Sequence, residues 1–180
     1  AECHSTNLEK NFDPLSRKYG TTYSEIDVSC EACHGPGSLH VKLANKKSLF
    51  WDRKHGFGLT RLKSTSNIPQ VESCAPCHSR RSITGGNYVG CRFDEHYACQ
   101  LLEDQIYHDD GQIRDDDYVY GSFIQSKMFH NDVRCTDCHD PHSAKVKIAG
   151  HTLCTSCHQD KHPFAKYDTP DHHHHEAGST

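Results

Sequence analysis

Hydrophobic residues are scattered thinly along this chain, and few stretches place them at a spacing that predicts an element. The longest such stretch runs from Phe93 to His108, where apolar residues recur at helical spacing and predict one amphipathic helix. Asp109-Asp110-Gly111 follows and is expected to end that helix. The positions predicted to be buried are Tyr97, Leu101, Leu102 and Ile106.

Two shorter stretches also predict helices. Ser38–Lys47 begins after the turn Gly35-Pro36-Gly37, and Gly121–His130 carries a second apolar group. The buried positions of this second group are Phe123, Ile124, Met128 and Phe129. Residues 48–73 are polar and are expected to be a surface loop, and no stretch predicts a strand longer than a few residues. The pattern predicts a mainly α chain with much irregular loop and few or no strands.

The apolar content is too low for an ordinary hydrophobic core. Leu, Ile, Val and Phe make up about a sixth of the chain, whereas chains below roughly a fifth are usually disordered. Yet the net charge is only −4, and a disordered tail would not hold 11 cysteines. A large apolar cofactor that supplies the missing core resolves this conflict. It also predicts that the chain is unfolded without that cofactor.

The same composition excludes two kinds of partner. The chain has no basic patch for nucleic acid, and no run approaches the roughly 18 to 20 apolar residues that span a bilayer. The start of the chain lacks the pattern of an export signal, which is a basic stretch followed by an apolar run. We therefore expect that a signal was removed or that the chain is an internal piece of a longer one.

One pentapeptide, Cys-x-x-Cys-His, occurs four times and indicates the cofactor. In this motif two thiols form thioethers with the vinyl groups of a c-type haem, and the histidine binds the iron as proximal ligand. The predicted thioether cysteines are Cys30, Cys33, Cys74, Cys77, Cys135, Cys138, Cys154 and Cys157. The predicted proximal ligands are His34, His78, His139 and His158. The four motifs are separated by unequal numbers of residues, which excludes a regular solenoid. The short distance in sequence between the last two motifs predicts that the third and fourth haems lie close together.

Zinc is the alternative metal for these cysteines, because two Cys-x-x-Cys pairs together can supply four thiolates. The histidine directly after every pair argues for haem instead.

Three cysteines lie outside the complete motifs. Cys91 and Cys99 are predicted to form a disulfide, which suits an oxidising compartment; two buried thiols are the alternative. Cys3 precedes His4, so residues 1–4 match the end of a fifth motif whose first cysteine would stand before Ala1. We predict a fifth haem with Cys3 as its thioether and His4 as its proximal ligand; otherwise Cys3 is free or paired elsewhere.

Haem iron that only transfers electrons needs a sixth ligand, and the single methionine cannot serve four irons. Bis-histidine ligation is therefore predicted. Candidate distal ligands beyond the motifs are His40, His108, His130, His142 and one histidine of the 172–175 group. His142 is the most suggestive, because Pro141 bends it away from the adjacent motif. For any one of them, a surface histidine or one that binds a haem propionate is the alternative.

Several longer stretches carry a resemblance to a known family. They are Cys3–Asn7, Ser24–Ser38 with His40, Cys77–Arg81, Tyr107–His108, Asp110–Ile113, Tyr118–Ser122, Ser126–Met128 with His130, Cys138–His142, and Tyr167–Pro170 before His172 and His173. On these residues the chain resembles the multihaem cytochrome c family with doubled Cys-x-x-Cys-His motifs. It is more distantly similar to the tetrahaem cytochrome that accepts electrons from hydroxylamine oxidoreductase.

The resemblance implies a small multihaem cytochrome c fold over residues 1–180, organised around packed haems. It implies that His40, His108, His130, His142 and a histidine of the 172–175 group, for which we take His173, are distal ligands. It also implies export to the periplasm or beyond. Three features depart from the family pattern: the first motif is incomplete, no further Cys-x-x-Cys-His motif follows the histidine cluster, and Cys91 and Cys99 stand where the pattern has no cysteines.

The function predicted from these features is that of an electron carrier, not an enzyme. Single electrons would pass through four or five haems to redox partner proteins or other multihaem cytochromes. One alternative is an oxidoreductase that reduces a small nitrogen or sulfur oxyanion at a five-coordinate haem, although no Cys-x-x-Cys-Lys variant occurs. Another is a homo-oligomer or extracellular filament in which a distal histidine crosses between subunits.

Overall fold

A computed structural model describes residues 2–46, 53–86, 89–101, 103–114, 118–150 and 152–158. The chain divides into two compact units, Ala1–Val133 and Arg134–Thr180. The prediction of one domain over residues 1–180 stays a prediction.

The first unit begins with a 3-10 turn over Glu2–His4 and a small antiparallel hairpin. In this hairpin β1 (Phe12–Asp13) pairs with β2 (Lys18–Tyr19). Phe12 stands opposite Tyr19, and the two ring centroids are 4.9 Å apart. This contact between side chains directly opposite each other stabilises a hairpin whose strands are only two residues long.

Three helices follow the hairpin. They are α1 (Cys30–His34), α2 (Ser38–Ala44) and α3 (Ile68–His78), with a 3-10 helix over Arg53–Gly58 between the last two. The helix predicted to begin at Ser38 is confirmed. The expectation of a loop over residues 48–73 is wrong at its end, because α3 starts at Ile68. A proline lies in the first turn of α3, where its missing N–H costs no hydrogen bond.

The helix predicted over Phe93–His108 is wrong. A 3-10 turn over Phe93–Glu95 leads into β4 (Tyr97–Cys99), which pairs antiparallel with β3 (Arg81–Ile83). Strand pairing overrides the helical spacing of the apolar residues, and Leu101, predicted to be buried, is 76% exposed.

The helix predicted over Gly121–His130 is interrupted. The structure forms α4 (Tyr120–Phe123) and α5 (Lys127–His130) instead. Ser126 separates them, because its hydroxyl accepts a hydrogen bond from the backbone N–H of Phe129 at 3.2 Å and so begins a new helix.

The described part of the first unit has a very small hydrophobic core. Its buried apolar side chains are Val71, Ala75, Phe93, Tyr97, Ile106 and Tyr107. The centroid of the Phe93 ring lies 5.0 Å from that of Tyr97 and 4.9 Å from that of Tyr120, so an aromatic cluster on one side of α3 does most of the packing. Large apolar residues elsewhere are exposed, which agrees with the low apolar content of the sequence.

The described part of the second unit consists of two short helices and one hairpin. α6 (Cys135–Cys138) leads directly into β5 (His139–Asp140), which pairs with β6 (Lys145–Val146), and α7 (Thr152–Thr155) follows. Across the described residues, seven α-helices and three pairs of strands of two or three residues confirm the prediction of helices, loops and no long strand. None of these helices is long and apolar enough to cross a bilayer.

The half-buried phenol of Tyr120 should make the fold sensitive to alkali. Burial, reinforced by nearby Cys99, Glu72 and Asp94, raises the pKa of Tyr120 to about 12, above its usual value near 10. The folded chain therefore favours the neutral phenol of Tyr120. The stability that this preference contributes to the fold is complete below a pH of about 10 and is lost as the pH rises towards 12.

We expect Tyr120→Phe, which cannot ionise, to raise the pH midpoint of alkaline unfolding measured by far-UV circular dichroism. Tyr19→Phe is the control, since Tyr19 is exposed, and should leave the midpoint unchanged. Equal midpoints for Tyr120→Phe and the unaltered chain would contradict the assignment.

Candidate functional site

Every Cys-x-x-Cys-His motif lies on a helical turn. α1 covers the whole of the first motif, α3 ends with the second, α6 contains both cysteines of the third, and α7 contains the first cysteine of the fourth. The turn continues after α7, because the backbone N–H groups of Cys157 and His158 donate to the carbonyl oxygen of Cys154 at 3.2 and 3.0 Å. Cysteines three residues apart on a helical turn lie on one face, so each pair can attach to the same partner.

The first complete motif is held at its C-terminal end. Gly35 ends α1 with a φ of +72°, a conformation that favours glycine, and a Cβ there would lie 2.9 Å from the Thr60 hydroxyl. The backbone N–H of Thr60 donates to the carbonyl oxygen of His34 at 2.9 Å. This loop residue therefore fixes the position of the predicted proximal ligand.

Cys3 lies against the second complete motif. Its thiol is 3.9 Å from the backbone carbonyl oxygen of Cys77, to which it donates a weak hydrogen bond. Burial, reinforced by the neighbouring thiols of Cys3 and Cys33, raises the pKa of Cys77 to about 11. Thiols from three predicted haem sites therefore lie close together in the first unit.

Thr6 joins the Cys3-His4 turn to the first complete motif. The side chain is buried, its hydroxyl donates to the carbonyl oxygen of Asp27 at 2.6 Å, and it accepts from the backbone N–H of Ser29 at 2.9 Å. Since Ser29 is the residue before α1, these bonds set where that motif begins.

Arg81 anchors the Cys3-His4 turn to α3. Its guanidinium donates to a carboxylate oxygen of Glu2 at 2.8 Å and twice to the carbonyl oxygen of Pro76, at 2.9 and 2.6 Å. Pro76 lies inside the second motif, so one side chain touches two predicted haem sites. Partial burial opposes ionisation of Glu2, but hydrogen bonds from Arg81 and Lys10 outweigh it and lower the pKa of that carboxyl.

The two motifs of the second unit also bring their thiols together. Burial raises the pKa of Cys138, and Asp137 and the thiols of Cys157 and Cys154 raise it further. The thiols of the third and fourth motifs are thus near enough to influence each other. This arrangement agrees with the short spacing of these motifs in the sequence.

Among the described distal candidates, His40 has the clearest ligand geometry. Its Nδ1 atom lies 3.0 Å from the backbone carbonyl oxygen of Phe57, and because a carbonyl can only accept, Nδ1 carries the proton. In the neutral imidazole Nε2 then keeps its lone pair, the arrangement common among histidines that bind a metal. Phe57 has a φ of +57° and lies in the 3-10 helix Arg53–Gly58, next to α2.

His142 lies in the turn between β5 and β6. The Asp140 carboxylate accepts from the backbone N–H of His142 at 3.2 Å and from the Ser143 hydroxyl at 2.7 Å. These bonds lower the pKa of Asp140, the one from Ser143 most strongly. The His142 side chain is 82% exposed, so the turn presents an accessible imidazole.

The other candidate distal ligands are His108, His130 and His173. His108 is exposed in a tight turn, where its backbone N–H donates to Gln112 at 2.7 Å and its carbonyl accepts from Gly111 at 2.8 Å. His130 is exposed at the end of α5, with its ring 5.5 Å from that of Phe129. His173 lies outside the described residues, and its role stays a prediction.

The predicted disulfide between Cys91 and Cys99 is not formed, and both residues carry free, exposed thiols. Cys99 ends β4, whereas the thiol of Cys91 lies near the side chains of Glu95 and His96. The eight-residue spacing suggested a closed loop, but the 3-10 turn and strand between the cysteines direct the two thiols to different surroundings.

The donor set fits a covalently attached c-type haem. The cysteines of the complete motifs form no disulfide, they occur in pairs at helical spacing, and an imidazole follows each pair. Thioether formation needs free thiols, and iron needs the imidazole nitrogen. The small core and the exposed apolar side chains are also suited to a large apolar partner.

A comparison with solved structures finds similarity to the outer cell wall cytochrome OcwA. The TM-score is 0.57 and the sequence identity 20%, over 88% of this chain and 43% of the OcwA chain. This chain has a cytochrome fold. It spans less than half the length of that solved chain, so the activity and partners of OcwA do not transfer to it as a whole.

No family model matches the chain, and no curated protein matches it. The similarity to the tetrahaem cytochrome that accepts electrons from hydroxylamine oxidoreductase stays a prediction. Sequence analysis missed Thr6, Arg81 and the Phe57 carbonyl group, which position the motif residues and His40. Their partners are distant in the chain, so no local pattern could have indicated them.

Thr6→Val should loosen the connection between the Cys3-His4 turn and α1. Valine keeps the shape but removes the hydroxyl that bonds to the Asp27 carbonyl oxygen and the Ser29 N–H; those two groups still bond to each other at 3.1 Å, so the loss is about 0.5–1.5 kcal/mol for each hydrogen bond removed. We expect a lower urea midpoint and faster hydrogen exchange at the backbone N–H of Ser29. Thr21→Val, at an exposed threonine, is the control and should change neither; unchanged exchange at Ser29 in Thr6→Val would contradict the role of Thr6.

Proposed function

We propose that this chain is a multihaem c-type cytochrome that relays single electrons between covalently attached haems. The observation that carries the proposal is the placement of all four complete motifs on helical turns, with cysteine pairs that form no disulfide, within a cytochrome fold. When bound, haem supplies reversible one-electron chemistry at its iron. The residues of the chain attach it, bind its iron and set its surroundings.

The cysteines of the motifs would anchor each haem through thioethers, and the following histidines would bind the iron. Within the first unit, the thiols of Cys3, Cys33 and Cys77 lie close together. Within the second unit, Cys138 lies near the thiols of the fourth motif. Attachment points that are close together bring redox centres close, which is what a relay requires.

Ligation by two histidines would keep each iron six-coordinate, as suits an electron carrier. The bond from His40 Nδ1 to the Phe57 carbonyl oxygen supports His40 as a distal ligand through Nε2. The accessible imidazole of His142 supports a second. His108, His130 and His173 complete the proposed distal set. If these histidines fill every sixth position, no site is left for an oxyanion substrate, which disfavours a reductase.

A fifth haem is proposed at Cys3 and His4. Cys3 lies on a 3-10 turn, and its thiol is directed toward the second motif. Hydrogen bonds of Thr6 and of Glu2 with Arg81 position the residues on either side of Cys3 and His4.

We further propose that the protein is exported, to the periplasm or the cell exterior, and exchanges electrons with redox proteins or other multihaem cytochromes. The fold of the outer cell wall cytochrome OcwA supports this location. Many covalently attached haems are suited to a role in which electrons leave the cell interior.

Metal and haem content of the purified protein tests the proposal. We expect iron at about four or five atoms per chain and a low-spin c-type haem absorption spectrum. Five haems with no alkylatable thiol at Cys3 would support the fifth site, and four haems with a free Cys3 would remove it. A colourless protein that contains zinc would end the cytochrome proposal.

His40→Ala should convert one haem from low to high spin while the haem count stays the same, because the distal position would open but the thioethers would not change. Electron paramagnetic resonance of the oxidised protein measures this change. His142→Ala should do the same at another haem. Gln125→Ala, at an exposed residue of the first unit, is the control. An unaltered spin state would show that the substituted histidine is not a ligand, and rapid nitrite binding to the unaltered protein would favour the reductase.

A further inference from the structure

Cys91, Glu95 and His96 form a cluster outside every haem motif. Their potential ligand atoms, a thiol sulfur, a carboxylate oxygen and an imidazole nitrogen, all lie within 4.8 Å of one another. The cluster combines three chemically different ligands. That combination is typical of a transition-metal site and not of a solvated acidic surface.

The backbone that carries the cluster is firmly held. The 3-10 turn Phe93–Glu95 is anchored by the buried Phe93 ring in the aromatic core. The backbone N–H of His96 donates to the Phe93 carbonyl oxygen at 3.2 Å. The His96 carbonyl oxygen accepts from the N–H groups of Thr84 and Gly85 at 2.9 and 3.2 Å. Glu95 and His96 therefore leave this turn from a fixed backbone.

Two glycines shape the surroundings of the cluster. Gly90 has a φ of +91°, and a Cβ there would lie 3.1 Å from a Thr60 methyl group, so glycine suits the turn that presents Cys91. A Cβ at Gly85 would lie 3.0 Å from Nδ1 of His96, so Gly85 leaves room for that ring. Arg92, the residue after Cys91, directs its guanidinium to Asp94, with contacts of 2.7 and 3.1 Å.

We propose that Cys91, Glu95 and His96 bind one divalent transition-metal ion of the zinc class. Zinc binds thiolate sulfur at about 2.3 Å and imidazole nitrogen or carboxylate oxygen at about 2.0–2.2 Å. Ligand atoms must then approach within roughly 3.3–3.8 Å of one another. The exposed side chains of Cys91 and Glu95 can rotate over the remaining distance. Three protein ligands leave the fourth position for water.

A haem iron is the competing partner for His96. His96 lines a cavity that also reaches Ala32 and Pro76, the central residues of the first two complete motifs. The geometry of the cluster favours a separate metal ion over a haem iron as the partner of His96. Such an ion would bind the Cys91 thiol, which no haem motif requires, together with the His96 imidazole. The proposal is independent of the haem count.

Alkylation of the haem-loaded protein gives the first test. Cys91 and Cys99 are both free, exposed thiols outside the motifs, so Cys99 is a control within the same molecule. After treatment with a chelator and dialysis, one equivalent of Zn²⁺ should slow alkylation of Cys91 by iodoacetamide about tenfold or more, because a bound thiolate is not free to attack. Alkylation of Cys99, followed by peptide mass spectrometry, should keep its rate.

Glu95→Gln and His96→Ala should abolish the protection of Cys91, whereas Glu103→Gln, at an exposed glutamate, should retain it. Equal rates at Cys91 with and without Zn²⁺ would overturn the proposal. A Cys91–Cys99 disulfide in the purified protein, which would leave neither thiol open to alkylation before reduction, would overturn it as well.

X-ray absorption at the zinc edge gives the second test. The sample with one equivalent of Zn²⁺ should show one sulfur neighbour at about 2.3 Å, which Cys91→Ser removes and Cys99→Ser keeps. Histidines 172–175 could also bind zinc, but only with nitrogen neighbours. A shell of nitrogen and oxygen alone would overturn the proposal.

The haem spectrum of His96→Ala gives the third test. We expect an unchanged low-spin spectrum and an unchanged iron count. Appearance of a high-spin haem would identify His96 as a haem ligand and overturn the zinc site. Low iron content in the unaltered protein would instead count against the proposed cytochrome function, without affecting the zinc measurements.

Discussion

The guanidinium of Arg81 joins three parts of the first unit that are far apart in the chain. It binds the carboxylate of Glu2, the carbonyl oxygen of Pro76 within α3, and the face of the Tyr97 ring at 4.8 Å. Its side chain is 9% exposed, so these charge-assisted bonds lie where water competes weakly. With so few buried apolar residues, polar contacts of this kind decide how the turns that carry the motifs are placed.

Asn67 performs a similar task at the other end of α3. Its buried side-chain amide donates to the carbonyl oxygens of Phe129 at 2.8 Å and Val133 at 3.1 Å. These bonds connect the start of α3 to the segment around α5, whose last residue is His130. Both ends of this helix are therefore tied to segments that present proposed ligands, and an apolar core of ordinary size is not needed to position them.

The sequence was most informative where the chemistry is local. The motifs and α2 depend on neighbouring residues, and each could be predicted from spacing or from a glycine and proline turn. The segment after Phe93 could not, because its apolar residues match helical spacing, yet β3 offers it a strand partner and Phe93 an aromatic one. The bonds from Thr6 to Asp27 and from Arg81 to Glu2 connect residues 21 and 79 positions apart, and no local pattern encodes them.

The boundary between the two units falls between Val133 and Arg134, just before the third motif, and no motif crosses it. Each unit has its own helical turns, its own hairpin and its own attachment thiols. An architecture of this kind can lengthen in evolution by adding whole units, since each further pair of motifs brings its own helical turns and its own hairpin. The number of motifs in such a chain can then change by whole modules.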